Sequence, residues 1–212
     1  MANLNDIRRD FGLSHLEESD LARDPIQQFE LWIQEAIQSN VKDPNGMALA
    51  TADAKGRVSV RMMLLKYFDQ NGFVFFTNYE SLKGRMVAEN PHASLLFWWP
   101  DFERQVRVEG LIEKLDQKHS DEYFNERLFE SNIAALLSKQ SRVLSDKQAF
   151  IDEVEQARKE FHSKPILRPD YWGGYILKPH YFEFWQGGTQ RLHDRLVYQM
   201  KNDRWSITRL YP

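Results

Sequence analysis

The pattern of hydrophobic and polar positions begins with a helical period that follows a polar stretch. Asp24 and Pro25 predict a helix start, with the acid as N-cap and the proline in the first turn. The apolar positions that recur at helical spacing after them are Phe29, Trp32, Ile33, Ala36 and Ile37. They predict one buried stripe. Residues 1–23 lack such a period and are predicted to form a mobile arm, which leaves residues 24–212 as a single domain.

From Gly46 onward the pattern is typical of strands separated by turns. The predicted strands are residues 47–52, 58–68, 73–77, 93–99, 105–115, 175–178, 181–185, 195–200 and 205–210. Asn71-Gly72 has the signature of a tight hairpin. Helices are predicted at 81–90 and 117–129, and from Ser145, where Gln148 completes a capping box. Antiparallel hairpins with inserted helices indicate an α+β fold built on an antiparallel β-barrel.

Composition limits the possible functions of this chain of 212 residues. Its net charge of −3 argues against bulk binding to nucleic acid or anionic membranes, so a basic cluster must be a local site. The absence of cysteine from the sequence excludes disulfides, thiolate catalysis and zinc–thiolate sites. The first ten residues lack the apolar run of a signal peptide, and no apolar stretch approaches the ~20 residues that span a bilayer. We therefore expect a cytoplasmic protein.

A stretch near the C-terminus combines an aromatic pair, a double glycine and three basic residues at alternate positions. In an extended strand, Arg191, His193 and Arg195 would stand in a row on one face. Two guanidiniums that flank an imidazole, with Trp185 nearby, suit a flat, anionic, aromatic ligand. A solvated basic strand face would have the same spacing, so the pattern alone leaves both interpretations open.

Two earlier segments offer cations for anion binding. Arg61 and Lys66 lie in an otherwise apolar strand, and their odd separation sends them to opposite faces unless a bulge lies between them. Thr77, Ser81 and Lys83 surround a predicted helix start, where backbone N–H groups also attract a phosphate. Capping alone would explain Ser81 but not Lys83.

A third candidate is a row of polar residues in the predicted helix 117–129 and just beyond it. Tyr123, Arg127 and Ser131 recur at intervals of four and could hold a second phosphate, although a solvated helix face looks the same. Gln140 and Ser141 belong to a polar turn, and Gln105 stands among β-branched residues. The sequence has no glycine-rich dinucleotide fingerprint, Walker loop, paired-histidine metal motif or recognisable nucleophilic triad. An enzyme with this sequence would take its chemistry from an organic cofactor.

In this order, the segments resemble the pyridoxine (pyridoxamine) 5′-phosphate oxidase family, the FMN enzymes of vitamin B6 salvage, over nearly the whole chain. The motifs that carry the resemblance are Arg61-Met62-Met63-Leu64-Leu65-Lys66, Phe76-Thr77-Asn78, Glu103-Arg104-Gln105-Val106, Ser138-Lys139-Gln140-Ser141, Tyr171-Trp172-Gly173-Gly174, Trp185 to Arg195, and Arg209-Leu210-Tyr211-Pro212. Each is weak alone, but their combination is specific.

The resemblance implies a split β-barrel homodimer that binds two FMN molecules at the subunit interface. It also implies oxidation of pyridoxine or pyridoxamine 5′-phosphate to pyridoxal 5′-phosphate. A hydride from the substrate's C4′ would pass to the flavin, and O2 would reoxidise the flavin and give H2O2. With the amine substrate, hydrolysis of the imine product would release ammonia.

The resemblance also assigns roles to residues, motif by motif. The positions that match FMN contacts are Arg61, Met62, Met63, Leu64, Leu65, Lys66, Phe76, Thr77, Leu82, Lys83, Gln105, Gln140, Ser141, Trp185 and Arg195. Those that match the substrate site are Lys66, Tyr123, Arg127, Ser131, Arg191, Leu192, His193 and, in the arm, Arg8, Arg9, Asp10 and Phe11. Arg191 and His193 match residues that hold the pyridine ring against the flavin, and they are the catalytic candidates. No metal is implied.

Two positions depart from the family pattern. Leu82 stands where a second cation is usual, which predicts looser FMN retention. Phe11 replaces a tyrosine in the arm segment that can fold over the active site, so a hydrogen bond from that lid is lost. Two other functions remain open at this point, a split-barrel flavin reductase and a protein that binds FMN or pyridoxal phosphate without turnover. A flavin reductase would have no need of the second phosphate site around Arg127.

Overall fold

One antiparallel sheet organises the computed structural model, which describes residues 9–202 and 204–212. The strands within these residues are β1 Gly46–Ala52, β2 Val58–Leu64, β3 Tyr67–Asp69, β4 Gly72–Asn78, β5 His92–Trp99, β6 Arg104–Lys114, β7 Trp172–Gln186, β8 Asp194–Lys201 and β9 Arg204–Arg209. Their order across the sheet is β2-β1-β5-β6-β7-β4-β3, and β8 pairs with both β7 and β9. The predicted α+β class with an antiparallel barrel is confirmed.

The long strand β7 is where the sheet divides. One of its edges pairs with β6 from Tyr175 to Gln186, whereas the other pairs with β4 in its first half and with β8 in its second half. The sequence pattern predicted two strands here, 175–178 and 181–185, and that was wrong. Pro179, which cannot donate to a ladder, lies opposite a register shift at Glu109 and Gly110, so the strand continues through the irregularity.

Helices precede the sheet and connect some of its strands. Their bounds are α1 Pro25–Gln38, α2 Leu82–Glu89, α3 Gln117–Glu126, α4 Phe129–Leu137 and α5 Lys147–Phe161. The predicted cap of α1 is confirmed, because the Ile26 N–H donates to Asp24 Oδ1 at 2.8 Å. Phe29 of α1 is fully buried, and its ring lies 4.9 Å from Phe73 and 4.8 Å from Phe97. Within the predicted stripe, Ile37 is instead 48% exposed.

The predicted strand 58–68 is broken at Leu65 and Lys66. Strand β2 pairs with β1, whereas the Lys66 N–H donates to Val74 O and β3 pairs with β4. The chain therefore passes from one partner strand to another at this point. Because of this break, Arg61 and Lys66 belong to segments with different partner strands. Their odd spacing therefore needs no bulge within one continuous strand.

The helical middle section also differs from the prediction. Helix α3 ends at Glu126, and Arg127 has an extended backbone (φ −73°, ψ 154°) before α4 begins at Phe129. The cap of α5 is Asp146, whose carboxylate accepts from the Ala149 N–H at 3.0 Å, rather than Ser145. The predicted capping box is absent there, because the Gln148 amide donates to Asp152 at 2.9 Å.

The described part of the predicted arm, residues 9–23, lies against the sheet. Leu16 is buried, the Tyr198 hydroxyl donates to Ala22 O at 2.6 Å, and Arg209 donates to Leu16 O at 3.1 Å. The arm thus makes polar contacts with β8 and β9, and its mobility stays a prediction. None of the helices in residues 9–202 and 204–212 has the length and apolar character to cross a membrane.

Candidate functional site

A cavity of about 710 Å³ opens between the β2–β3 connection, β4 and the paired helices α3 and α4. It brings together residues that the sequence analysis selected from distant segments. The predicted residues in its wall are Met63, Leu64, Lys66, Phe76, Thr77, Tyr123, Arg127, Ser131 and Gln140. Wall residues outside the predicted site set are Asn78, Glu126, Leu128, Ala134, Ala135, Ser138 and Trp172. Asn78, Ser138 and Trp172 stand inside the quoted motifs, whereas the two alanines gave no sequence signal.

Stacked aromatic rings line one side of this cavity. The Phe76 ring lies 3.8 Å from that of Tyr123 and 5.7 Å from that of Trp172, in both cases nearly parallel. The rings come from β4, α3 and β7, so the packing of helix on sheet creates the stack. A flat apolar wall of this kind suits an aromatic ligand.

Arg127 and Ser131 form one polar end of the cavity. Arg127 Nη2 donates to Ser131 O at 3.1 Å, and its carbon Cζ lies 4.3 Å from the Trp172 ring centroid. Its Nη1 is buried without a hydrogen-bond partner in the described residues, and burial lowers the pKa of this guanidinium. A buried cationic donor that lacks an acceptor is expected to bind an anion.

The cavity wall brings Tyr123, Arg127 and Ser131 together, but the geometry predicted for them, a row along one helix, was wrong. The three residues do not share one helix face, because Arg127 terminates α3 and Ser131 belongs to α4. The turn between the helices folds them toward each other, and the Asn132 side chain stabilises that turn by donating to Phe124 O at 3.0 Å.

A second cluster of cations lies around the start of α2. The Lys83 side chain is buried, and its Nζ donates to Thr77 Oγ1 at 3.1 Å and to Gln140 Oε1 at 3.0 Å. Burial, together with the nearby Arg61, lowers the pKa of Lys83 to about 8. Ser81 is the N-cap of α2, as predicted, and its Oγ accepts from the Gly84 N–H.

Arg61 strengthens the positive field at this point. Its Nη1 donates to Thr51 Oγ1 at 2.8 Å and to Leu49 O at 3.0 Å, and burial lowers its pKa. Within residues 9–202 and 204–212, neither Arg61 nor Lys83 forms an ion pair with a carboxylate. Two neighbouring cations with neutral oxygen partners at a helix N-terminus are suited to bind an anion.

A third group of predicted residues lies outside the cavity wall, on the face that β6, β7 and β8 share. Gln105, Trp185 and Arg195 are direct partners across these strands, so their side chains stand on one face. Arg195 Nε donates to the buried Glu183 at 2.7 Å, and Glu183 also pairs with Arg107 at 2.6 Å. This network holds the Arg195 guanidinium beside Trp185.

His193 and Phe11 extend this third group. The imidazole lies 4.7 Å from the Trp185 ring, and the Phe11 ring meets both edge-on at 5.6 and 5.7 Å. The Gly188 N–H donates to His193 Nδ1 at 3.1 Å. In the neutral ring, Nε2 therefore carries the proton and is available as a hydrogen-bond donor.

The predicted row of Arg191, His193 and Arg195 on one strand face was wrong. Thr189–Arg191 is a short 3-10 turn, and β8 begins only at Asp194. Gln190 and Arg191 have φ values of 53° and 64°, which no strand residue adopts. Glycine at position 188 permits this turn, because the Cβ of any other residue there would lie 2.3 Å from Leu192 O. Arg191 and Leu192 are consequently exposed in a loop.

The other predicted site residues in the described part of the chain lie outside the cavity wall. Met62 is 70% exposed on the outer side of the edge strand β2, whereas Leu65 is buried in the core. Leu82 lines a separate depression beside Asp53 and Arg57. The remaining ones are the exposed Ser141, the arm residues Arg9 and Asp10, and Arg8, which lies outside the described residues.

Comparison with known proteins gives matches over the whole chain. The sequence profile of a family described as "Pyridoxamine 5'-phosphate oxidase" matches residues 33–161. A second profile, described as "Pyridoxine 5'-phosphate oxidase C-terminal dimerisation region", matches residues 172–212.

Individual relatives agree with these profiles. Proteins named "Pyridoxine/pyridoxamine 5'-phosphate oxidase" from Paraburkholderia phymatum and Thermosynechococcus vestitus are 47% and 46% identical, with all of both chains covered. Among solved structures, PhzG from Burkholderia lata in complex with tetrahydrophenazine-1-carboxylic acid is 30% identical, with a TM-score of 0.90. The match covers 95% of this chain and 99% of PhzG.

Proposed function

This chain belongs to the pyridoxamine 5′-phosphate oxidase family, as its motifs predicted, and from this premise we propose its reaction. It oxidises pyridoxine 5′-phosphate and pyridoxamine 5′-phosphate to pyridoxal 5′-phosphate, with FMN as cofactor and O2 as electron acceptor. H2O2 is the second product, and the amine substrate also yields ammonia. The observation that carries this proposal is an aromatic-walled cavity with Arg127 and Lys66 in its wall, whose wall residues Thr77 and Gln140 also bind Lys83 of a second cation cluster behind it.

The cluster at the start of α2 fits the FMN phosphate. Lys83 and Arg61 supply two positive charges, Thr77 and Gln140 supply neutral polar groups, and the helix N-terminus favours a dianion. Both cations are partly desolvated and lack an acidic partner among the described residues, so a bound phosphate would satisfy them. The chemistry that FMN supplies when bound is a two-electron oxidation, with uptake of a hydride and later transfer of electrons to O2.

The second anion site fits the phosphate of the substrate. The buried Nη1 of Arg127 is free to donate, and Lys66 lies in the same cavity wall with its Nζ 5.8 Å from the Tyr123 ring. The stacked rings of Phe76, Tyr123 and Trp172 then limit water access beside these cations. A substrate held by its phosphate at one end is oriented as well as bound.

This second site also argues against the alternatives. A flavin reductase has no need of a further phosphate site. The ligand named in the PhzG structure is a carboxylic acid, which carries no phosphate for such a site. A carrier without turnover is compatible with both phosphate sites but leaves His193 and Arg191 without a role. We assign to His193 the donation of a hydrogen bond from Nε2 to the substrate ring, and to Arg191 the holding of that ring in its reactive orientation.

We further propose that two copies of the chain complete each site. Gln105, Trp185 and Arg195 match FMN contacts by motif, yet they do not line the cavity that holds Lys83's partners. A second copy would bring this face to the cavity of the first. The outer side of β2 also exposes Val60 and Met62, which a homodimer interface would cover. The match of residues 172–212 to a dimerisation region supports this arrangement, and the cysteine-free sequence agrees with a cytoplasmic location.

The affinity for FMN should fall as the pH rises through the pKa of Lys83. Burial and Arg61 lower this pKa to about 8 in the protein without FMN, and a phosphate dianion binds the protonated amine. Because the neutral amine must first take up a proton, we expect the FMN dissociation constant to rise roughly tenfold between pH 7 and pH 9. Fluorescence titration of the apoprotein measures this change.

The Lys83→Arg variant is the matched control for this titration, because an arginine keeps its charge throughout the range. Its FMN dissociation constant should change by less than about twofold over the same interval. An equally steep rise in both proteins would remove Lys83 as the titrating group.

The proposed reaction is tested directly by product analysis in air. FMN-loaded protein and pyridoxine 5′-phosphate should yield pyridoxal 5′-phosphate and H2O2 in equal amounts. Pyridoxine without the phosphate should react far more slowly at the same concentration, because it cannot use Arg127 and Lys66. Absence of both products with the two phosphorylated substrates would contradict the proposal.

A further inference from the structure

Glu103 occupies a special position between the short 3-10 turn Pro100–Phe102 and strand β6. Its side chain is only 3% exposed, and its backbone has a φ of 53°. We propose that Glu103 is a positioning residue for the reaction, whose carboxylate fixes the N-terminal arm across Trp185 and His193 and thereby sets the position of both rings. This inference rests on the proposed function for its kinetic consequences, while its structural part is independent of the substrate.

The carboxylate of Glu103 accepts hydrogen bonds from three donors of the arm. Oε2 accepts from the backbone N–H groups of Gly12 at 2.8 Å and Leu13 at 3.1 Å, and Oε1 accepts from Arg9 Nη2 at 3.0 Å. Burial would raise the pKa of this carboxyl, but the bonds from Gly12, Leu13 and Arg9 outweigh burial and lower it. Glu103 is thus an ionised carboxylate surrounded by hydrogen-bond donors of the arm. These donors lie about 90 residues before Glu103 in the sequence.

Phe11 lies within the segment that Glu103 holds. Its ring meets those of Trp185 and His193 edge-on, at angles of 88° and 85°. The packing is close, because a Cβ on Gly187 would lie 2.8 Å from the Phe11 ring and one on Gly12 would lie 2.8 Å from Thr189. Any shift of residues 9–13 therefore moves Phe11 against the loop that carries Arg191 and His193.

The backbone of Glu103 also binds the segment that contacts Phe11 from the opposite side, at Gly187. Its carbonyl accepts from the Gly187 N–H at 2.8 Å, immediately before the glycine whose N–H orients His193. Gln186 Nε2 adds a bond to Phe102 O at 3.1 Å. One residue thus anchors both the arm and the start of the loop that carries Arg191 and His193, so the two are held in a fixed relation.

The first experiment compares Glu103→Gln with the wild-type protein, both saturated with FMN. We expect hydrogen exchange at residues 9–16 to become at least tenfold faster, while exchange in β5 and β6 stays unchanged. We expect kcat/KM for pyridoxine 5′-phosphate to fall about tenfold, in line with loss of a charge-assisted hydrogen bond, and the FMN dissociation constant to stay within about twofold. Glu113→Gln is the matched control, since Glu113 pairs with Lys178 at an exposed site and should change neither quantity.

A double-mutant cycle with Phe11→Ala separates positioning from general stabilisation. If Glu103 acts through Phe11, Glu103→Gln should add little to the loss that Phe11→Ala already causes. Additive losses, or faster exchange throughout the sheet, would overturn the proposal. Should Glu103→Gln fail to fold, Glu103→Asp and Phe11→Ala give the same comparison. A wild-type protein that shows no turnover would refute the proposed function alone, because the exchange of residues 9–16 still tests the role of Glu103.

Discussion

Replacement of Arg127 by methionine should lower kcat/KM for pyridoxine 5′-phosphate by about 100-fold and leave the FMN dissociation constant within about twofold. The guanidinium has one buried nitrogen without a partner in the described residues, and the substrate phosphate would satisfy it. A charge-assisted hydrogen bond contributes up to about 3 kcal/mol, which corresponds to about two orders of magnitude in rate or affinity. Methionine keeps the length and packing of the side chain beside Trp172 but removes every donor.

The control for this experiment is Arg158→Met on α5. Arg158 is partly exposed and pairs with Glu130, so its replacement tests the loss of a surface guanidinium without a ligand role. We expect it to change kcat/KM by less than twofold. If Arg127→Met lowered the slow reaction of unphosphorylated pyridoxine as strongly as that of the phosphate ester, Arg127 would not be the phosphate ligand.

The Arg191→Leu variant should lose about 100-fold in kcat/KM and still retain FMN as well as the wild-type protein does. Arg191 lies in the exposed turn before His193, at a backbone φ of 64°, and it is not part of the cation cluster around Lys83. Its expected role is to hold the substrate ring in the reactive orientation, and loss of orientation lowers turnover rather than cofactor binding. Steady-state kinetics and the flavin content of the purified protein measure the two effects separately.

The neighbouring Gln190→Ala variant is the matched control for Arg191→Leu. Gln190 shares the turn and has a φ of 53°, so its replacement perturbs the same backbone without removing a charge. We expect a change of less than about threefold in kcat/KM, which is within the usual effect of a surface substitution. Unchanged kcat/KM in Arg191→Leu would remove Arg191 from the catalytic assignment.

Most strands and the start of the first helix could be predicted from local pattern. Alternation along β1, the Asn-Gly turn before β4 and the Asp24 cap each depend on neighbours in sequence. The break at Lys66 could not, because it depends on the switch from β1 to β4 as pairing partner. Partner choice is a long-range property that alternation does not record.

The candidate site likewise has features that the sequence pattern could predict and features that depend on long-range contacts. Arg127 and Ser131 lie in one cavity wall, but not by the predicted geometry, since the helix between them is broken and the turn brings them together. The alternate spacing of Arg191, His193 and Arg195 predicts a row on a strand face, but the double glycine before them allows a turn that places Arg191 in a loop. Glu103 was part of a quoted motif, but its role depends on contacts with residues 9–13 that no spacing rule reveals.

The anaerobic half-reaction tests the central claim most directly. FMN-loaded protein is mixed with pyridoxine 5′-phosphate in the absence of oxygen, and the visible absorption band of the flavin is followed. The proposed oxidase predicts that the band bleaches and that it returns when air is admitted. A band that stays unchanged with both pyridoxine and pyridoxamine phosphates would contradict the proposed reaction while leaving the fold and family intact.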